Sequence, residues 1–564
     1  MNIGSFIFVL HSHVPYVRKS GKWPHGEEML YEIIGETYVP LLNALDALYK
    51  DGIKPRVSLG LTPILLEQLH DPYMQREFVK YANIRLKAAI KEHQSFKITT
   101  PEALAASEFY INWYTKIIDD YEHKYDRNLI SAFKFFQDNG QLDILTSAAT
   151  HGYLPLLSRD SAIWGQLKTG IKQYKSYFDR APSGIWLPEC GYRPLAAENR
   201  AGIESFLDEM NLKYFFTDSH VIESAIHASG EEKASPKYVP KASWMMYTNA
   251  FVLTHSTPKS SKKRQKPASF TPAGEINTFH PYFVEDSEVY VFGRDNVTGM
   301  QVWSSDWGYP GDFLYREFHK KSKETGIQYW RISNKKQGMK FKDYYDPEAA
   351  FARAEEHAEH FTQLVESHLL NYYTQNNKKG VVVSSYDTEL FGHWWFEGIH
   401  WIEKVMRNFA QKNTISLTSA RDYVLEHPQT VALRLPESSW GNGGQHSTWF
   451  NDETSPLWTD IHAAESRFES LVAKYPNAKG MQKKLLNQAA RELLLLQSSD
   501  WPFLITTVQA ADYAAKRFKE HVDRFNFVCD TIEEKNDKTV ADKTLEEIFD
   551  ADNIFKQIDY RDFT

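Results

Sequence analysis

The chain has 564 residues, a formal net charge of -8 and two cysteines, Cys190 and Cys529. That charge offers no basic face for nucleic acid, two thiols cannot build a disulfide framework or a four-thiolate metal site, and no window reaches the apolar length of a membrane span. The length allows two to four domains, or one large barrel with additions. Aromatics make up 14% of the residues, a load that suits large buried layers and ring-bearing ligands such as sugars alike.

The N-terminal stretch MNIGSFIFVLHSHVPYV lacks a basic leader region, and His11 and His13 interrupt its apolar run. It therefore reads as a strand rather than a signal peptide, and with few thiols it predicts a reducing, cytoplasmic setting. Six more short apolar runs end in polar or aromatic residues. They are RVSLGLTPILL (56–66), LDILTSAATHGYLPLL (142–157), SGIWLPECGY (183–192), LKYFFTDSHVI (212–222), a sixth in either FVLTHS (251–256) or VYVFGRD (289–295), and VVVSSYDTELFGH (381–393). They are β-branched and aromatic-rich with little alternation, as expected of strands buried on both faces.

Between them, 108–140 reads as a helical hairpin, and 348–375 as a long helix opened by a DPE cap signal. Strands alternating with helices predict a parallel α/β sheet. About seven such strands favour a barrel whose site lies at the strand C-termini; an open doubly wound sheet is the competing arrangement. The segment 259–275 is basic and rich in Ser and Pro, and reads as a mobile surface loop. From about 416 onward the strand signals fade, and 486–505, 508–528 and part of 531–555 carry helical patterns.

Chemistry gathers at the strand ends. His11 and His13, two residues apart on a strand, point the same way; they could hydrogen-bond a polar ligand, or bind a metal with His151 or Asp218 as a third ligand. In GIWLPECGYRP (184–194) a carboxylate, Glu189, directly follows an apolar run, a costly place for a charge. Asp387 ends the last strand. Two carboxylates facing across one barrel mouth satisfy the need of retaining glycoside hydrolysis, although Glu389 and Glu397 share the motif and spacing does not choose among them. Trp440, Trp449 and Trp458 in the 439–458 loop, and Trp303, Asp306 and Trp307 in QVWSSDWGYPGD (301–312), suit a glycan-binding rim or an aromatic mini-core joining two domains.

Five motifs in chain order carry a resemblance over nearly the whole length: HSHVPY (11–16), GLTPIL (60–65), WLPECGY (186–192), SSYDTELFGHWW (384–395) and SWGNGGQHSTWFNDETSPLW (439–458). The chain resembles the family 57 glycoside hydrolases, and within them the α-1,4-glucan branching members. The resemblance implies an α/β fold: a (β/α)7 barrel over 1–415 with a helical insertion at about 67–140 and a mobile basic loop at about 256–275, and an all-helical domain over 416–564 that closes the cleft. It implies a retaining mechanism with no metal or other cofactor, in which Glu189 is the nucleophile and Asp387 the general acid/base. His11, His13, His151 and His393 would line the subsite of the cleaved glucose; Trp23, Trp303, Trp440 and Trp449 would line the glucan cleft; Asp500 would enter from the helical domain. The partner would be an α-1,4-glucan, and the assembly a monomer or small homo-oligomer.

The family's mobile loop carries a tyrosine at its tip, associated with transfer over hydrolysis. Here the stretch around 256–272 has no tyrosine and is unusually basic, a departure that bears on the balance between the two. Alternatives are a 4-α-glucanotransferase or α-amylase using the same carboxylates, a metal-dependent deacetylase or mannosidase-like barrel using His11 and His13, and a catalytically silent glucan-binding protein.

Overall fold

The structure is a computed structural model that describes residues 1–22, 25–195, 200–227, 276–304, 307–334, 336, 338–535 and 538–564. Trp23, Asp306, the FVLTHS run and the basic loop at about 256–275 lie outside the described residues.

Strands β1 (Gly4–Ser12), β2 (Val57–Leu61) and β3 (Leu142–Leu145) pair in parallel, and β1 pairs on its other side with β8 (Gly380–Asp387). The ring continues from β3 through parallel bridges Thr146 to Ile185 and Gly184 to β4 (Tyr214–Thr217), then to β7 (Tyr290–Gly293). It closes where the Asp295 amide donates to Val383 O at 2.8 Å. The result is a seven-stave barrel rather than an open sheet, with VYVFGRD supplying the sixth stave. Asp295 also caps the following helix, Asn296–Trp303, by accepting from Thr298 N at 2.8 Å.

Residues of β1 are buried at all nine positions, and their two faces serve different cores. Ile7 and Val9 point inward with Leu145, Trp186, Phe216, Phe292, Val381 and Val383. Phe6, Phe8 and Leu10 point outward against the surrounding helices. The inward stripe 7, 9, 11 delivers His11 to the mouth, as a period of two dictates. Register places His11 beside Asp387 of β8 and beside Gly60 of β2.

Helices Pro72–Thr99 and Leu104–Asp119 pack together over the barrel flank, followed by Leu129–Asp138. Asp71 caps the first, accepting from Tyr73 N and Met74 N at 2.7 and 3.1 Å. Asp346 caps Pro347–Asn376, accepting from Ala349 N at 3.2 Å, so the DPE signal marks a true helix start. The expected division at 415/416 falls inside strand β9 (Ile415–Leu417), which pairs with β1. A further strand, β10 (Ala432–Arg434), pairs with β6 (Tyr282–Val284). At three residues each, these strands are too short to leave a periodic signal in sequence.

Helices Ser455–Lys474, Gly480–Leu496, Asp500–Thr506, Ala511–Ile532 and Lys538–Ala551 form the C-terminal region. It is sewn onto the barrel by an antiparallel bridge from Gly152 to Ser498 and by Ser499 N donating to His151 O at 3.1 Å. Among the described residues no helix is long and apolar enough to cross a membrane.

Candidate active site

At the C-terminal ends of the strands lies a cavity of about 290 Å³. Glu189, Asp387, Glu389, His11, His13, His151, His393, Trp303, Trp440 and Asp500 all line it. Phe503, Leu504 and Tyr513 of the helical region form its far wall, so the site is shared between the two parts of the chain.

Glu189 arrives on a strained turn. It has φ 59° and Cys190 has φ 48°, the left-handed region that costs a non-glycine residue on the order of 1 kcal/mol or more. His151, across the mouth, has φ 57°. Each turn swings a side chain from a stave into the cavity, while Cys190 packs into the barrel interior. The Glu189 carboxylate accepts from Trp440 Nε1 through Oε2 and from Ser499 Oγ through Oε1, both at 2.9 Å. Burial raises its pKa, and these two donors oppose that rise.

Asp387 stands in a different field. Burial, then the charges of Glu389 and Glu189, push its pKa well above the carboxylate range. Both carboxyls are raised, but two donors work against the rise at Glu189, while two like charges add to it at Asp387 and load that group to keep a proton. Divergent environments of this kind divide nucleophile from acid.

The three histidines divide similarly. Burial drives His11 and His151 well below the usual imidazole value, and the His13 charge adds to this. Burial also opposes charging of His13, but Asp500, Glu189 and Glu389 outweigh it and raise its pKa. Asp500 reaches His13 Nε2 at 3.1 Å, and Thr62 Oγ1 reaches its Nδ1 at 3.1 Å. The His11 ring lies flat on Trp186, with centroids 4.8 Å apart. His393 Nδ1 sits 3.6 Å from Glu36, whose carboxylate is clamped by both Arg316 terminal nitrogens at 2.9 Å.

A family model for glycosyl hydrolase family 57 matches residues 7–436. The chain belongs to this family. A second family model, for the C-terminal region of 1,4-alpha-glucan branching enzymes, matches residues 460–563. The chain is 40% identical to a 1,4-alpha-glucan branching enzyme of Thermococcus kodakarensis, over 98% of this chain and 78% of that protein. It is 28% identical to a probable 1,4-alpha-glucan branching enzyme of Mycobacterium tuberculosis, over 92% of this chain and 90% of that one. Among solved structures, the family 57 branching enzyme of Pyrococcus horikoshii superposes with a TM-score of 0.85 at 39% identity, covering 100% of this chain and 97% of that one. An alpha-amylase of Thermotoga maritima superposes at 0.81 and 29% identity, covering 100% and 99%.

Within this family 57 chain, the expectation for Trp449 needs correction, and two alternatives left open in the sequence, Glu397 and Asp218, lie elsewhere. Trp449 is 1% exposed and stacks on Tyr153 with centroids 4.5 Å apart, beneath the cavity rather than on it. Trp458 joins it by donating to Trp449 O at 2.8 Å. That half of the loop is the aromatic mini-core, because both rings find an apolar face between barrel and helices. Glu397 is fully buried away from the cavity, accepting from Arg316 N and Tyr345 Oη at 3.1 and 2.6 Å. Asp218 pairs with Arg294 at 2.9 Å instead of joining His11 and His13.

One residue, Ser499, escaped the sequence reading, and another, Glu389, stood there only as an alternative carboxylate. Ser499 touches Glu189 from the helical region. Glu389 lines the cavity, accepts from Tyr38 Oη and from His13 N, and is raised by burial to about 7. Within SSYDTELFGH, Glu389 was indistinguishable from any other acidic neighbour. Ser499 carries no local signal at all.

Proposed function

We propose that this protein is a 1,4-α-glucan branching enzyme working by retaining double displacement. The observation that carries the reading is the pairing of Glu189 and Asp387 in one cavity, the first held by two hydrogen-bond donors and the second pushed well above the carboxylate range by burial and like charges. Glu189 attacks the anomeric carbon as the bond to the 4-oxygen breaks, and Asp387 delivers its proton to that departing oxygen. The glycosyl ester on Glu189 then meets a glucan 6-hydroxyl. Asp387, now ionised, removes the hydroxyl proton as the oxygen attacks, and Glu189 leaves as a carboxylate.

Aromatic walls at Trp303 and Trp440, with the helical wall at Phe503 and Leu504, favour transfer by limiting water and holding an acceptor in place. The match of 460–563 to the branching-enzyme C-terminal model supports the branching outcome. A hydrolytic reading is favoured by the likeness to the Thermotoga maritima alpha-amylase, whose chemistry would need only water in place of the 6-hydroxyl.

Linkage analysis after incubation with amylose separates them. New α-1,6 branches are expected. Reducing ends without branches would establish an amylase, and new α-1,4 transfer products alone a glucanotransferase.

A further inference from the structure

We propose that Ser499, supplied by the helical region, is the positioning residue that completes the nucleophile, as the last link of a one-way hydrogen-bond chain from His11 through His151 to Glu189. This rests on Glu189 being the nucleophile.

The distances along the chain are His11 Nε2 to His151 Nε2 at 3.0 Å, His151 Nδ1 to Ser499 Oγ at 2.8 Å, and Ser499 Oγ to Glu189 Oε1 at 2.9 Å. A hydroxyl has one proton, and a neutral imidazole has one donor and one acceptor nitrogen. An ionised Glu189 can only accept, so Ser499 gives it the hydroxyl proton and accepts from His151 Nδ1–H. His151 Nε2 is then bare and accepts from His11 Nε2–H. His11 Nδ1 is left bare, and it is buried with no hydrogen-bond partner among the described residues. A Cβ at Gly60 would come within 3.2 Å of it, so glycine is what fits beside that edge.

The reverse polarity fails at the same end. If Glu189 were protonated and donated to Ser499, each proton would shift one link, and His11 would bury an Nδ1–H with no acceptor. An orphaned donor of this kind is among the rarer and costlier defects in a folded protein. On the other oxygen, Oε2, the partner is again a donor, Trp440 Nε1, and it gives a carboxyl proton nothing to bond to. Both oxygens face donors, so the arrangement offsets part of the burial penalty on the charged nucleophile.

The remaining titratable groups facing Glu189 are Asp500, Asp387, His13, Cys190 and Tyr153. None of them replaces the hydroxyl. Ser499 is itself fixed by its main chain, donating to His151 O at 3.1 Å, so loss of the hydroxyl need not move the backbone. Ser498 Oγ meanwhile holds Asp500 Oδ2 at 2.6 Å. The sequence Ser498-Ser499-Asp500 is therefore a docking finger that organises the barrel mouth.

The test uses the full-length enzyme and a chromogenic aryl α-maltooligosaccharide, with kcat/KM measured against pH. Ser499→Ala should move the acid limb upward by about one pH unit, a tenfold loss at low pH that fades as pH rises. Ser499→Thr should restore the limb. Ser499→Cys, nearly isosteric but a weaker donor, should fall between and serves if the alanine variant does not fold. An unmoved limb, or a loss equal at all pH values, overturns the proposal. Trapping with a 5-fluoro-α-glucosyl fluoride and peptide mapping checks the nucleophile separately. A label on Glu189 with an unmoved limb sinks only the role of Ser499; a label elsewhere sinks both.

Discussion

The barrel mouth and the core of the helical region each bury a histidine among carboxylates, and the mouth opens on a cavity. In the helical region His521 Nδ1 meets Glu492 at 3.0 Å, with Asp552 close by, and the ligand atoms of all three lie within 4.8 Å of one another. Burial and the Asp552 charge raise Glu492 well above the carboxylate range, while burial, Arg517 and Arg524 hold His521 well below the imidazole range. Arg524 pairs with Asp552 at 2.6 Å, Arg517 reaches His521 Nε2 at 3.2 Å, and Gln488 satisfies Glu492 at 2.9 Å. Asp552, the far ring nitrogen of His521 and Glu492 thus each already have a side-chain partner. Burial and shifted pKa values are therefore shared by both clusters and identify neither as a site. What separates them is strain at three left-handed residues, and carboxyls aimed into open space.

The largest expected effect tests the mouth. Glu189→Gln and Asp387→Asn should each lower kcat on amylose by a factor of about 10⁴ or more, with the thermal unfolding midpoint little changed. A large fall in that midpoint with turnover intact would make the mouth a structural cluster like its counterpart. The mirror experiment is His521→Ala. Truncating this fully buried ring leaves a cavity and unpaired polar neighbours, a cost of about 2–4 kcal/mol, so the unfolding midpoint should drop while kcat of the folded enzyme stays at the wild-type value. Loss of kcat at full stability would erase the distinction drawn here.

Glu389 sits between these extremes. Its pKa rises from the usual 4.5 to about 7, so the folded state binds its proton more tightly than the unfolded chain does. That contribution is complete below about 4.5 and is lost as pH climbs to about 7. Glu389→Gln should therefore match wild-type stability near pH 4 and exceed it above pH 7, by up to about 3 kcal/mol. Melting curves across that range check it, and a variant weaker at high pH would show that the carboxylate is structural. The Glu389 charge also helps Asp387 keep its proton, so the basic limb of the pH–rate profile should move to lower pH in the same variant.

Much of this is legible in the amino-acid sequence. The inward stripe of β1 is a local pattern, so His11 could be placed at the mouth from spacing alone. Glu189 and Asp387 stand at the ends of apolar runs, and an apolar run that stops at a carboxylate is visible in one dimension. Ser499 was not legible, because its partner lies 310 positions away in sequence and a serine before a short helix has many ordinary uses. Trp449 was misplaced for a related reason: a tryptophan in a polar loop looks the same whether its ring faces sugar or Tyr153. The left-handed backbone at His151, Glu189 and Cys190 left no trace, since none of them is glycine.

The smallest effect sharpens the comparison most, because it separates wall from donor in one side chain. Trp440 packs edge-on against Trp186, with centroids 5.1 Å apart, and donates to Glu189 Oε2. Trp440→Phe keeps an aromatic wall and removes the donor. Its expected signature is a loss of about tenfold in kcat/KM on the acid side with KM for glucan nearly unchanged, whereas Trp440→Ala should raise KM as well. Trp440 and Ser499 serve different oxygens of one carboxylate, so their losses act on the same ionisation. Combining Trp440→Phe with Ser499→Ala should displace the acid limb by about the sum of the single displacements. A combined displacement no larger than either alone would mean that one donor holds the Glu189 carboxylate and the other merely packs against it.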